Sequence, residues 1–229
     1  MASVMKRLAK KVRPGVSTQD IDELAEKLIN KAGAEPSFKN YRGYPKVACI
    51  SVNEEVVHNI PSDDKIVQKG DIVGLDLGLR YEGLYTDMAM TVPAGRISKQ
   101  AKKLIKVTRK ALEIGLKQVK AGHTIGDIGY TIEKFVVKHG FSVVRTLTGH
   151  GVGKEVHEDP KIPNFGEKGK GFKLQEDMTL AIEPMVNIGS HEVMTKEDGW
   201  GIVTEDSSLS AHFEHTVLVT KRGCEILTK

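Results

Sequence analysis

The sequence predicts an α/β (α+β) fold made of two similar halves, and three observations carry that expectation. VRPGVSTQDIDELAEKLINKAG, from Val12, aligns without a gap on VKAGHTIGDIGYTIEKFVVKHG, from Val119, at an offset of 107. The same offset lays QKGDIVGLDLG, from Gln68, over QEDMTLAIEPM, from Gln175, so Asp76 falls on Glu183, each acid inside an apolar run of strand length. YTDMAMTV around Asp87 resembles HFEHTVLV around Glu214, with about twenty more residues intervening in the second half. The expected organisation is one domain over residues 1–229, with halves at roughly 12–95 and 119–220 related by a pseudo-twofold axis.

The elements follow in order. MASVMKRLAKKVRPG reads as a short basic helix with Lys6, Arg7, Lys10, Lys11 and Arg13 on its outer side. Ser17 or Thr18 is the N-cap of the next helix, whose Ile21, Leu24, Ala25, Leu28 and Ile29 recur at helical spacing before Gly33 stops it. Strands and a hairpin around Asp76 and Asp87 complete the first half. Residues 98 to 122 read as a linking helix, capped by Ser98 and apolar along Leu104, Ile105, Thr108, Leu112 and Leu116. Its first-half counterpart would begin before Met1. Thr124 caps the fourth helix, with Ile128, Ile132, Phe135 and Val136 on one face and Gly140 as the stop.

Composition narrows the function classes. The chain is 39% hydrophobic and 28% charged, which suits a water-soluble globular protein and leaves no apolar run for a membrane span. The start lacks an apolar signal core, so a cytoplasmic protein is expected. Two cysteines, Cys49 and Cys224, are too few for a disulfide framework or a cysteine-based zinc module. A net charge of +4 permits weak attraction to RNA but points to no specific nucleic acid. A monomer is expected.

The acids carry the chemistry. Four carboxylates converging without a counter-charge repel, and one is driven to protonate unless a cation joins them. Hard divalent ions take oxygen ligands, and two ions can share bridging carboxylates in a hydrolytic site. Asp76, Asp87, Glu183 and Glu214 supply enough oxygens for two. TGHGVGKEVHEDP adds His150 as a ligand candidate and His157 as a substrate contact, with Gly149, Gly151 and Gly153 expected to let the backbone turn tightly. His58, in HNIP, stands in a context similar to that of His157, in HEDP.

VNEEVVHNIP, LDLGLRYEGLYTD, TGHGVGKEVHEDP, TLAIEPMVN and LSAHFEHTVLVT together resemble the type I methionine aminopeptidases, in order and at matching spacing, from about Val12 to Lys229. The resemblance implies a pita-bread fold, an antiparallel sheet with helices outside. It implies two divalent ions per chain, of Co, Mn, Fe or Zn, on Asp76, Asp87, His150, Glu183 and Glu214. Asp87 and Glu214 would bridge both ions, Asp76 would chelate one, and His150 and Glu183 would complete the other. Activated water would attack the scissile carbonyl, with Glu183 handling its proton, His157 meeting the carbonyl oxygen and His58 lying near the scissile amide.

Further expectations come with the family. The methionine pocket falls on Phe38, Tyr41, Tyr44, Cys49, Val156 and Trp200, with Phe38 where a small cysteine is usual and Val156 where an aromatic is usual, a compensating exchange of bulk. Asn53, Glu55 and Ser210 match a possible monovalent-cation site. The implied activity is removal of N-terminal methionine ahead of a small second residue, on peptides and nascent chains, and transient ribosome contact is compatible with it. An X-Pro aminopeptidase or prolidase and a noncatalytic binding module on the same fold are the competing readings.

Overall fold

The structure, a computed structural model, describes all of residues 1–229. The first half runs α1 (Ala2–Lys11), α2 (Thr18–Lys31), β1 (Glu35–Pro36), β2 (Cys49–Val52), β3 (Glu55–Val57), β4 (Ile72–Tyr81) and β5 (Leu84–Pro93). The second runs α3 (Lys99–Leu116), α4 (Ile125–Lys138), β6 (Ser142–Val143), β7 (Thr148–Gly151), β8 (Glu158–Pro163), β9 (Thr179–Ile182) and β10 (Met185–Asn187). It ends with β11 (Val193–Thr195), β12 (Ile202–Thr204), β13 (Ser210–His212), β14 (His215–Val219) and β15 (Cys224–Ile226).

The helices start where the capping residues put them. Ser17 Oγ accepts from Asp20 N at 3.0 Å while Asp20 accepts from Ser17 N at 3.2 Å. Thr124 and Asp127 form the same reciprocal box at the start of α4. The backbone repeats with the helices: Gly15 N donates to Val67 O, and 107 residues on Gly122 N donates to Leu174 O. The isolated bridges Ser17 to Ile66 and Thr124 to Lys173 keep that offset too.

One element is shorter than the sequence suggests. The linking helix ends at Leu116, not near 122. Residues past it are needed for a turn that returns Gly122, at φ +90°, to the strand side. α1 ends at Lys11, close to the equivalent point in the first half.

Each half has its own core. α1 and α2 bury Met5, Leu8, Ile21 and Ile29 against Val73, Leu75 and Leu77 of β4. α3 and α4 bury Leu104, Ile128 and Ile132 against Leu180, Ile182, Phe213 and Val217. In the first half, β4 pairs with β5 along its whole length and with β2. In the second, antiparallel strands run β15-β14-β9-β7-β8. Strands alternate their side chains between faces. With Leu75 and Leu77 facing the helices, Asp76 must face the opposite side, and so must Asp87 beside the buried Met88.

The halves meet along β5 and β14. Thr216 Oγ1 bridges the Asp87 backbone, accepting from its N–H and donating to its carbonyl, both at 2.8 Å. Thr91 Oγ1 does the same for His212 at 2.9 Å. Glu214 N donates to Ala89 O at 2.9 Å. Residues 87 and 89 thus oppose 216 and 214, the reciprocal pattern a twofold axis demands.

Candidate metal centre and substrate cavity

The strand faces turned away from the helices surround a cavity of about 550 Å³ lined by Asp76, Asp87, His150, Glu183 and Glu214 at one end. Asp87, His150 and Glu214 each place a ligand atom within 4.8 Å of the others. Glu183 joins them, with His150 Nε2 at 3.6 Å from Oε1 and His212 Nε2 at 3.4 Å from Oε2. The structure therefore brings all five expected ligand residues to one wall.

The electrostatics are those of acids without a counter-charge. Burial, then Asp87 and Glu183, pushes Asp76 well above the ordinary carboxylate range. Burial does the same to Glu214, with Asp87, Glu183 and Asp76 adding to it. Burial raises Asp87 to about 6 and Glu183 to about 7, with His150 partly opposing each shift. Asp76 Oδ1, Glu214 Oε1 and His212 Nε2 are buried with no hydrogen-bond partner. Native proteins seldom leave such atoms orphaned.

These residues fit divalent metal. In the neutral ring His150 Nδ1–H donates to Gly151 O at 2.8 Å and leaves the Nε2 lone pair facing the Glu183 carboxylate. A lone pair and a carboxylate so placed can share a cation. Oxygen ligands with one imidazole suit Mn, Fe, Co and Zn.

The glycines around His150 serve a purpose other than turning. β7 is extended, and a Cβ on Gly149 would come within 2.4 Å of Ala181 O, one on Gly151 within 2.3 Å of Asp159 O. They let β7 lie close against its neighbours, which seats His150 opposite Ala181 of β9.

The other end of the cavity is apolar. Phe38, Tyr41, Tyr44, Cys49 and Trp200 line it beside His58 and His157. Val156 does not reach the wall; it is buried behind it, packed with Phe38, Tyr44 and Cys49. Phe38 and Val156 thus share one apolar cluster, so bulk at one position bears on the other. Gly78 makes room, since a Cβ there would meet Phe38 at 2.6 Å. Burial, with Asp76 nearby, raises the Cys49 thiol far above its ordinary value, which makes it a wall and not a nucleophile.

His58 and His157 keep solvent-accessible faces toward the cavity while protein crowds the rest of each ring. The crowding dominates, lowering His58 to about 4 with help from His212, and His157 to about 3 with help from His150, His58 and Arg42. Both rings are neutral at physiological pH. His58 sits at φ +58°, a backbone strain of the kind that clusters at functional sites.

Asn53, Glu55 and Ser210 also lie together, where Ser210 N donates to Asn53 O at 2.9 Å. The Glu55 carboxylate is engaged, accepting from Val52 N and lying 3.2 and 3.4 Å from the ammonium groups of Lys65 and Lys196, whereas Ser210 Oγ only donates, to Val186 O, and keeps its lone pairs.

Sequence reasoning missed His212, buried with its ring against Glu183 and its main chain held by the Thr91 hydroxyl of β5. Its signal was available: His212 and Glu214 are two apart in LSAHFEH, so alternation puts them on one face. Arg42 and Lys161 on the cavity wall carried no such signal.

A cleft of buried acids and histidines at the junction of two duplicated halves defines a metal-dependent peptidase, and the chain belongs to metallopeptidase family M24, whose profile matches residues 1–221. Within that family its similarity is to the methionine aminopeptidases. Methionine aminopeptidase 1 of Bacillus subtilis is 46% identical across 100% of this chain and 92% of its own length. The Escherichia coli methionine aminopeptidase is 41% identical across 99% and 86%. The crystal structure of the Thermotoga maritima methionine aminopeptidase superposes with a TM-score of 0.98 at 47% identity, covering 100% of this chain and 92% of that one. The fold is therefore the expected pita-bread fold. A prolidase from Pyrococcus furiosus shares that fold alone, with a TM-score of 0.80 at 23% identity over 60% of its chain. No helix is long and apolar enough to cross a membrane.

Proposed function

We propose that the chain removes methionine from the N-terminus of peptides and nascent chains, favouring a small second residue. The observation that carries this reading is the pairing, in one cavity, of a buried acid and histidine cluster with an apolar bay. The bay offers aromatic rings and a thiol to an unbranched thioether, a side chain that fills irregular apolar space well. The halves act as one catalytic unit, because neither alone supplies the ligand set.

Asp76, Asp87, His150, Glu183 and Glu214 would hold the divalent ions, two by our reading. Bound there, the ions would polarise the scissile carbonyl and lower the pKa of water. Glu183 would take the proton of the attacking water and return it to the leaving amine. His157, neutral and facing the cavity, donates to the carbonyl oxygen as negative charge builds on it. His58 steadies the substrate beside the scissile amide. Phe38, Tyr44, Cys49 and Trp200 exclude water from the methionine side chain, and Val156 backs them.

The test is reconstitution. Protein stripped of metal is reloaded with Co, Mn, Fe or Zn in turn and assayed on Met-Ala-Ser, on Met-X peptides with larger second residues, and on an X-Pro tripeptide. Metal-dependent cleavage that falls as the second residue grows is the expected result. Faster turnover of the X-Pro peptide, or chelator-insensitive protein with no bound metal, defeats the proposal.

A further inference from the structure

We infer that Asn59 is a positioning residue that seats Trp200 against the apolar bay, an inference that rests on the methionine-binding role given to that bay above. Trp200 reaches the bay on the loop, residues 196–201, that joins β11 to β12. β12 pairs with β3 only at Ile202 and Val203, with an irregularity between the two, so the ladder stops short of Trp200. The loop closes on itself. Lys196 N donates to Gly201 O at 2.7 Å, and the Asp198 carboxylate accepts from Trp200 N and Gly201 N at 2.8 and 2.9 Å. Those bonds shape the loop without fixing it to the first half.

Asn59 takes over where the ladder ends. It directly follows His58 and is 2% exposed. Its Nδ2 donates to Val57 O at 3.0 Å and to Ser51 Oγ at 3.1 Å, which pins the amide within the first half. Ile202 O lies 3.4 Å from the same nitrogen, and Lys196 Nζ lies 3.5 Å from Oδ1. A carbonyl on one side and an ammonium on the other set which way the amide points.

Gly201 shows how closely the loop rests on that amide. A Cβ there would lie 2.5 Å from Asn59 Oδ1 and 2.6 Å from Lys196 Cδ. Gly201 is not among the glycines at positive φ, so the position needs glycine for space and not for conformation. The loop backbone therefore packs directly on Asn59, one residue from Trp200.

The main chain of Asn59 holds the facing wall. Its carbonyl accepts from the Tyr44 hydroxyl at 3.1 Å, and the Tyr44 ring meets that of Trp200 edge to face, with centroids 5.2 Å apart. One residue thus supports both rings, Tyr44 through its carbonyl and Trp200 through the loop. The other tie across this seam is weaker, for the Lys196 ammonium that lies 3.4 Å from Glu55 belongs to an exposed side chain.

Trp200 is the only tryptophan of the chain, so its emission reports the loop directly. The test uses metal-loaded protein. Gly201→Ala drives a methyl against an amide that its own hydrogen bonds hold in place, and should move Trp200 toward water. Its emission should shift to the red and acrylamide should quench it more. KM for Met-Ala-Ser should rise about 5- to 10-fold with kcat changed less than about 2-fold, the pattern expected when side-chain binding common to ground and transition states is lost. Asn59→Ala should shift the emission in the same direction. Added to Asn59→Ala, Gly201→Ala should change emission little and KM less than about 2-fold further, because the oxygen it would strike is gone and the Lys196 stem can move aside. Unchanged emission and KM in Gly201→Ala would overturn the inference, as would full additivity of the two substitutions. Gly201→Ala leaves every Asn59 hydrogen bond to the first half in place, so it decides the matter alone should Asn59→Ala not fold. Absence of peptide cleavage in every metal form would defeat the proposed function, and the emission spectra would still decide whether Asn59 seats the loop.

Discussion

In the first half, Asp76 and Asp87 stand 11 residues apart on one continuous hairpin, closed by a turn through Glu82 and Gly83. In the second, Glu183 and Glu214 stand 31 apart, on strands joined by a long excursion. That excursion contains β11 and β12, pairs β12 with β3 of the first half, and brings Trp200 to the cavity. It also ends in His212, beside Glu183. The duplicated hairpin therefore supplies acids twice, while the imidazoles against Glu183, His150 and His212, come from the second half alone and the apolar bay comes mostly from the first, through Phe38, Tyr41, Tyr44 and Cys49. The repeated hairpins make the anionic floor, and unrepeated segments of both halves make the walls around it.

The largest expected effect tests whether the two copies are equal at the metal. Asp87 and Glu214 are counterparts across the axis, and both would bridge. Asp87→Asn and Glu214→Gln should each lower Met-peptide cleavage by more than about 100-fold, the upper range even for residues one step removed from a metal. Metal content by mass spectrometry should fall with activity in both. Full activity in either variant would mean that its half contributes no bridge and that the symmetry stops short of the chemistry.

A smaller effect tests the imbalance of imidazoles. The folded pKa values of Asp76, Asp87, Glu183 and Glu214 are raised, so the native state keeps protons that the unfolded chain has released. Such groups favour the fold fully below the unfolded carboxylate range, and that advantage is lost as pH rises through the folded values. The lowered histidines act in the opposite sense, but only below their unfolded value near 6.5. Between pH 6.5 and 8 the carboxylates act alone, and metal-free protein should lose roughly 1.4 kcal/mol per pH unit for each proton retained. Thermal melts after chelation should show Tm falling over that window, with saturating metal abolishing the fall. Asp76, which has no imidazole against it, should carry more of the slope than Glu183, which has two. If Glu183→Gln flattens the melt profile more than Asp76→Asn does, the difference between the halves has been read the wrong way round.

What the sequence revealed and what it hid divide along the same line. The offset of 107 exposed both capped helices and the acid pair Asp76 and Glu183, because regular elements keep their register under duplication. The pairing of Asp87 with Glu214 survived at a different offset because β5 and β14 still meet at the axis. Contacts made by the unrepeated segments were hidden: His212 against Glu183, Arg42 at the cavity wall, and Val156 behind that wall. Each depends on where a loop crosses another chain segment, which no periodicity encodes. The early end of α3 was hidden as well, since Lys117, Gln118 and Val119 continue a helical pattern and only the pairing of Gly122 with Leu174 draws the chain away.

The smallest effect asks whether the repeated elements are still interchangeable where function does not press on them. Ser17→Ala and Thr124→Ala should each destabilise the metal-loaded protein by about 1 kcal/mol in denaturant titrations, because each removes one capping oxygen from an equivalent helix. Their acids should part company. Asp20 closes its box from a more exposed position, whereas Asp127 also accepts from Gly169 N at 3.0 Å and so ties α4 to the loop before β9. Burial alone would raise the Asp127 carboxyl, but hydrogen bonds from Thr124 and Gly169 outweigh it and hold it below the ordinary value. Asp127→Ala should therefore cost more than Asp20→Ala, and the excess should fade in acid as Asp127 protonates. Equal costs for the two acids at neutral pH would show that the Gly169 contact adds nothing, and that α2 and α4 remain equivalent as well as similar.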